Sequence, residues 1–385
     1  MPSFITLQPP PFLLPIVFVS HTLLLLFQNL ITMFQSKPTL RWGIIGTGLI
    51  SSWFIQDLLI ERKDAQATHH IQAIGSSSAE KGTKFVETHM PGQTQLPSIY
   101  GSYQQAYQDP NVDIIYIGTP HGFHKKNCLD AISHGKHVLC EKAFTLNSRE
   151  AREVLDAAKK RGVFIMEAMW TRFFPLVKSL QKIIHEDKAV GDVVRVFADF
   201  AMNQNIESRG PDSRLKDLSL GAGSLLDIGI YSLTWGLVTL DAGVGEKATT
   251  PKITAAQTLV DGVDIGTSII LLYPDGKQGI LTSNSKVKTP EAFCRVEGTK
   301  GHIIVEGFAG SVPASFTVYK DGEIEGKKYE FERPGKGFYW EADAVALDIA
   351  AGKVENDTMP WAETIRVMEI MDEVRRQGGA RFPQD

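Results

Sequence analysis

From Leu40 onward, short apolar runs alternate with stretches long enough for amphipathic helices, the pattern of βαβ units and a parallel sheet. The spacing predicts strands at Trp42–Ile45, His70–Gly75, Val112–Gly118, Lys136–Cys140 and Val163–Glu167. Helices are predicted at Ser51–Arg62, Phe123–Ser133 and Ser148–Arg161. The run VDIIYIG is almost continuous in Val, Ile and Tyr, as expected of a strand covered on both faces.

After Met169 the pattern changes. One more helix, Phe174–Glu186, is followed by strands at Val193–Met202, Lys252–Val260, Gly266–Leu272, Gly279–Asn284, Ala292–Glu297 and His302–Glu306. Turn signals at Pro274-Asp275-Gly276, Gly298-Thr299-Lys300-Gly301 and Asp321-Gly322 point to antiparallel hairpins rather than crossovers. Helical periodicity returns at Phe338–Ala351 and Pro360–Gln377, with Gly352 and Gly378 at the positions of C-terminal caps. The expected fold class is α/β, a Rossmann doubly wound parallel sheet in residues 37–168, followed by an α+β domain with a large open, mainly antiparallel sheet in residues 169–385.

Composition adds one anomaly. The chain has 385 residues, 43% hydrophobic and 22% charged, with a net charge of -4 and no basic excess that would favour nucleic acid. Its three cysteines are too scattered for a disulfide framework or a CxxC metal site, so no metal is expected. Yet all 40 basic and 44 acidic residues fall after Ser36. Within residues 1–36, Phe12–Phe34 is apolar and long enough to span hydrocarbon. It lacks the basic n-region and cleavage site of a signal peptide, and Pro15, His21, Gln28 and Asn29 lower its hydropathy. Three readings stand: a start upstream of a working protein that begins near Met33, a membrane anchor through residues 12–34, or a targeting peptide. The first makes residues 1–36 no part of the fold and the protein cytoplasmic, with membrane association only where the segment is retained.

The chemistry gathers where strands end. The first strand runs into Gly46-Thr47-Gly48-Leu49-Ile50-Ser51, a G-x-G-x-x-S turn opening a helix, where glycines permit a tight turn and close approach of a pyrophosphate. At the end of the second strand, where an acid would take a ribose 2′-hydroxyl, the chain reads Ser76-Ser77-Ser78-Ala79-Glu80-Lys81. Ser76, Ser77 and Lys81 suit a 2′-phosphate, so NADP is expected over NAD, with Glu80 as the residue arguing for NAD. Thr119, His121 and His124 follow the VDIIYIG strand, and Glu141 and Lys142 follow HVLC, on the same carboxyl edge. The bland alternative makes the histidines the start of a helix and the charges mere loop residues. The functional reading puts Lys142 over the nicotinamide, holding a developing alkoxide and lowering the pKa of a neighbour. Asp227 and Tyr231, spaced i and i+4, share one helix face, although Ser224-Leu-Leu-Asp227 also reads as a capping box.

The stretches WGIIGTGLIS, TPHGFH, HVLCEKA, EAMWTRFFP, GAGSLLDIGIY and GFYWEADAVALDI together resemble the glucose-fructose oxidoreductase, inositol dehydrogenase and MocA family, over roughly Thr39 to Pro383. Within it they are most similar to the dimeric dihydrodiol dehydrogenases and the fungal NADP-dependent D-xylose dehydrogenases. The resemblance implies a homodimer through the open sheet and a small sugar or diol substrate. It makes Lys142 the lysine of the E-K-P motif, Asp227 and Tyr231 the D-x-G-x-[YH] pair, and Trp170 and Arg172 residues of the substrate cleft, where Phe173 and Phe174 would also stack. The E-K-P proline is Ala143 here, a variant that resembles the fungal xylose enzymes in CEKAFTLN and leaves open a looser loop around Lys142. The implied reaction oxidises D-xylose at C1 to the lactone, with Lys142, Asp227 and Tyr231 catalytic and either Tyr231, its pKa lowered by Lys142, or Lys142 itself as base. The alternatives are a trans-dihydrodiol substrate, or an NADP-sensing regulator without catalysis.

Overall fold

The computed structural model describes residues 37–385, so the expectations for the apolar run 12–34 lie outside the described residues. The first sheet is built from β1 (Thr39–Ile45), β2 (Thr68–Gly75), β3 (Ser98–Tyr100), β4 (Ile114–Ile117), β5 (His137–Glu141) and β6 (Ile165–Ala168), joined by α1 (Leu49–Leu58), α2 (Ala79–His89), α3 (Tyr103–Gln108), α4 (His124–Ser133) and α5 (Ser148–Arg161). All pairs are parallel and the order is 3-2-1-4-5-6. The order reverses between β1 and β4, which opens a crevice at their carboxyl ends. Every residue of β4 is buried, as its apolar run requires.

Local signals set most of these limits. Helix α5 starts where the Asn147 side chain accepts the Glu150 N–H at 2.9 Å and stops at Gly162, which takes the left-handed conformation. Helix α1 ends four residues earlier than predicted. Its Asp57 carboxylate accepts the backbone N–H groups of Lys336, Gly337 and Phe338, and Arg62 leaves the helix to pair with Asp343 at 2.7 Å. Helices α2 and α3 and the three-residue β3 have no counterpart in the predicted elements; α2 buries only Gly82, Phe85 and Val86, too few for a clear period.

The second sheet takes β7 (Val193–Ala201), β8 (Lys252–Val260), β9 (Val263–Leu272), β10 (Gln278–Asn284), β11 (Ala292–Gly298), β12 (Gly301–Ala309), β13 (Val312–Lys320) and β14 (Lys327–Glu330) in the order 14-13-12-11-7-10-9-8. Neighbours are antiparallel except β7 and β10. Strand β7, first in the chain, is inserted between β10 and β11 and so interrupts the expected meander. β13 and β14 extend the sheet beyond the predicted strands. Of the helices here, α6 (Pro175–Gln181) continues into a π-turn at Lys182–Glu186, and α7 (Ile230–Leu240), buried at every position, packs on β7 and β10. Gly236 permits that approach, since a Cβ there would meet Leu281 at 2.7 Å. The chain closes with α8 (Phe338–Ala350) and α9 (Trp361–Gly378). Gly352 follows α8 with φ +73° as predicted, whereas α9 ends on Gly379 (φ +92°), not Gly378, which still lies in the helix.

Candidate active site

The turn after β1 is shaped by glycine at two strands. Gly46 has φ +94° and its missing Cβ would lie 3.0 Å from the Gly118 carbonyl. Gly48 caps α1 without a side-chain hydrogen bond, leaving first-turn N–H groups free of any side chain. Ser51, in the third glycine position of the motif, is tolerated because Gly118 faces it: a Cβ on Gly118 would sit 2.2 Å from Ser51 Oγ. That hydroxyl is buried and has no partner among the described residues.

The serine run after β2 divides its labour. Ser76 is buried and donates to the Ser78 carbonyl at 2.5 Å, and Ser78 caps α2 by accepting the Lys81 N–H, so Ser76 is turned into the fold rather than toward a ligand. Ser77 is exposed and accepts from Lys81 Nζ at 3.0 Å. A hydroxyl and an ammonium therefore stand together where an acid would be.

His124 is another correction. It is fully buried, with Nε2 2.7 Å from the Thr119 carbonyl and Nδ1 3.0 Å from that of Ala143, and burial pushes its pKa down against the pull of these carbonyls. It is a strut between two turns rather than a cofactor contact. The same strut, with the Phe144 N–H donating to Glu167 Oε1 at 3.1 Å, pins the loop in which alanine replaces the E-K-P proline. With Ala143 buried and its carbonyl held by His124, the loop keeps its place without the proline.

A cavity of about 360 Å³ lies beside these turns. Its first wall is Gly48, Leu49, Ile50 and Trp53 with Gly118, Thr119 and His121, and Lys142 and Glu141 stand at its floor. Burial pushes His121 down to about 3, so it is neutral at physiological pH. Burial raises Glu141 to about 7, although its Oε1 accepts a 2.6 Å hydrogen bond from Tyr116. Lys142 Nζ donates to the Asp227 carbonyl at 2.5 Å, lies 3.7 Å from Asp227 Oδ1 and 5.0 Å from the centre of the Tyr231 ring.

Asp227 and Tyr231 do share one face, but on a helix of two kinds. A π-turn over Leu225–Gly229 runs into α7. The capping-box alternative fails because Ser224 is itself helical and donates to Asp264 Oδ2 at 2.8 Å, leaving the Asp227 carboxylate for the cavity. Burial alone would raise the Asp227 pKa, but Lys142, Arg214 and His121 and the Gln204 amide hold it well below the carboxylate range. The expected depression of Tyr231 is reversed. Burial pushes the phenol well above its usual value, the charges of Glu141 and Asp227 add to that, and the 2.7 Å hydrogen bond from Trp170 Nε1 only partly opposes it.

Trp170 lines the cavity as expected, stacked on Phe338 at 4.1 Å. Arg172 does not. It is buried and paired with Glu363 Oε1 at 2.5 Å, tying the turn after β6 to α9. Phe173 and Phe174 are core residues, each 1% exposed. In their place the cavity gains Phe200, Met202, Gln204, Arg214 and Ser311. These come from the end of β7, the segment after it and the β12–β13 bend, and no local pattern connects them to Lys142.

The protein-family comparison matches residues 40–169 to the oxidoreductase family with an NAD-binding Rossmann fold, and residues 177–304 to the GFO/IDH/MocA C-terminal domain. D-xylose 1-dehydrogenase (NADP(+)) of Hypocrea jecorina is 37% identical over 370 residues, 90% of this chain and 94% of that protein. Trans-1,2-dihydrobenzene-1,2-diol dehydrogenase of Xenopus laevis is 34% identical, covering 89% of this chain and 99% of that one. Among solved structures, the aldose-aldose oxidoreductase of Caulobacter crescentus superposes with a TM-score of 0.74 at 23% identity over 89% of this chain and 98% of that one, a likeness of fold. With the two family models matching successive segments and a relative 37% identical over 90% of this chain, the chain belongs to the GFO/IDH/MocA family of NAD(P)-binding oxidoreductases.

Proposed function

We propose that the protein is an NADP-dependent dehydrogenase that oxidises D-xylose, in its cyclic form, at C1 to D-xylonolactone. The observation carrying this reading is the meeting of Lys142, Asp227 and Tyr231 in one cavity at the glycine turn, in a chain similar to a fungal D-xylose dehydrogenase. Residues 37–168 would hold the cofactor and residues 169–385 supply most of the substrate wall. The free N–H groups at the start of α1 suit a pyrophosphate, and Ser77 with Lys81 suits a 2′-phosphate. When bound, the nicotinamide supplies the hydride acceptor.

The chain's own groups handle the proton. Lys142 holds the oxygen of the C1 hydroxyl as negative charge develops on it, and ionised Asp227 keeps Lys142 in place. Tyr231, protonated in the free site, donates a hydrogen bond to that oxygen. To accept the substrate proton it must first lose its own, and the ammonium 5.0 Å from its ring favours that form. Oxidation therefore speeds up as pH rises, while reduction of the lactone does not.

The open face of the second sheet, where Ile270 and Leu272 are exposed, suits a homodimer. A cytoplasmic location fits the fold: among the described residues, the one helical stretch long and apolar enough to cross a membrane, Leu218–Leu240, is buried in the core. The second reading, a trans-dihydrodiol substrate, draws on the aromatic walls Trp170 and Phe200 and on the Xenopus relative. The regulator reading leaves three converging reactive groups without a task. The test is NADPH absorbance after mixing protein and NADP with a panel of aldoses and dihydrodiols. Turnover fastest with D-xylose is expected, and silence across the panel despite NADP binding overturns the enzyme reading.

A further inference from the structure

Residues 203–220 form a strap across the mouth of the cavity. At one end the Gln204 N–H donates to the Ser285 carbonyl at 3.0 Å, prolonging the ladder of β7 and β10. At the other, Ser219 and Leu220 press on Gly122 in the turn after β4, where a Cβ would lie 2.1 Å from the Ser219 carbonyl. Between these anchors the strap sends two side chains to Asp227: Gln204 Nε2 donates to Oδ2 at 2.7 Å and Arg214 Nη1 to Oδ1 at 3.2 Å. The Arg214 side chain is 52% exposed, so its guanidinium keeps donors open to solvent at the cavity mouth. The remaining walls near Tyr231 are Trp170, Phe200 and Met202.

An aldose ring carries hydroxyls remote from the reacting carbon, whereas a dihydrodiol carries two adjacent ones and presents apolar carbon elsewhere. Apolar carbon against a guanidinium strips its water without replacing the hydrogen bonds. We propose that Gln204 is a positioning residue for Asp227, and that Arg214 both positions Asp227 and selects a polyhydroxylated substrate over an aromatic diol by binding hydroxyls remote from the reacting carbon. This rests on the dehydrogenase reading and names the substrate class of the same site.

The test is steady-state kinetics of the full chain and its Arg214→Met, Arg214→Lys and Gln204→Leu variants on D-xylose and on a trans-dihydrodiol, with NADP affinity and melting temperature measured alongside. Arg214→Met is expected to lower kcat/KM for xylose by about tenfold to a hundredfold, chiefly through KM, and to lower it by less than about threefold for the diol. Arg214→Lys recovers part of the xylose activity, and Gln204→Leu lowers both substrates alike. NADP affinity and melting temperature stay at the parent values. The pH profile moves as well. Asp227 faces Lys142 from the end of β5, His121 from the turn after β4, Arg214 and Gln204 from the strap and Tyr231 on its own helix. Loss of the Arg214 cation raises the carboxyl pKa, so the acid limb shifts to higher pH in Arg214→Met and stays in Arg214→Lys. Equal losses on both substrates, or no loss on xylose, overturn the proposal while the dehydrogenase reading stands. A parent chain inert to both substrates overturns the two together.

Discussion

The two walls of the active-site cavity are built in different ways. The wall from the parallel sheet consists of short runs at or just past strand ends: Gly48–Ile50 after β1, Gly118–His121 after β4, Glu141 and Lys142 at the end of β5. Its work is done largely by backbone, and its side chains answer to glycine-scale clearances such as the 2.2 Å between Ser51 Oγ and a Cβ on Gly118. The wall from the second half draws on Trp170, Phe200, Gln204, Arg214 and Tyr231, residues spread over some sixty positions and brought together by α7 packing on β7 and by the strap. The first wall is a local device repeated at each strand; the second is a product of the tertiary fold. Lys142 joins them, because it sits on the first and hydrogen-bonds the second.

Removing that joint should have the largest effect. Lys142→Met is expected to lower kcat by about 10²–10⁴-fold, the usual worth of an acid-base and electrostatic group, with NADP affinity within about threefold. A loss below tenfold would break the idea that the two walls act through this residue. Next comes Arg172, close in sequence to the second wall but outside it. Arg172→Ala leaves Glu363 buried with Arg366 as its remaining cation, and should cost about 3 kcal/mol in denaturant unfolding while leaving KM for xylose unchanged. A raised KM with unchanged stability would put Arg172 back in the cleft.

The first wall can be probed through its backbone. Gly46→Ala forces an L-residue into φ +94° against the Gly118 carbonyl, a strain of about 1–2 kcal/mol that should appear as weaker NADP binding in a fluorescence titration, with KM for xylose little changed. The smallest effect belongs to Lys81, exposed beside Ser77. Lys81→Ala should reduce the preference for NADP over NAD by about fivefold, the scale of an exposed charge contact; no change would remove Lys81 from cofactor recognition.

How far each wall could be read from the chain follows from this contrast. The strand-turn-helix order around Gly46, the buried run of β4 and the span of α5 were legible because each is set by neighbours within a few residues. The insertion of β7 between β10 and β11 was not, since strand pairing over eighty positions leaves no local mark. The site divides likewise. Lys142, Asp227, Tyr231 and Trp170 lie together as expected. His124, Ser76 and Arg172 carry chemistry of the same types, yet the fold spends them on a strut, a turn and a buried ion pair. Conversely Gln204 and Arg214 stand in a stretch with no periodicity, and only the strap's two anchors bring them to Asp227.

The sequence by itself determined the two-sheet architecture, the glycine turn and the candidate groups at the strand ends, because periodicity and backbone sterics act over short spans. Tertiary structure decided their protonation and company. Burial beside Glu141 and Asp227 raises the Tyr231 phenol that a nearby lysine was expected to lower, and cations from two separate segments, Lys142 and Arg214, hold Asp227 ionised. Charge interactions and desolvation depend on distance in space, which the order of residues along the chain does not record.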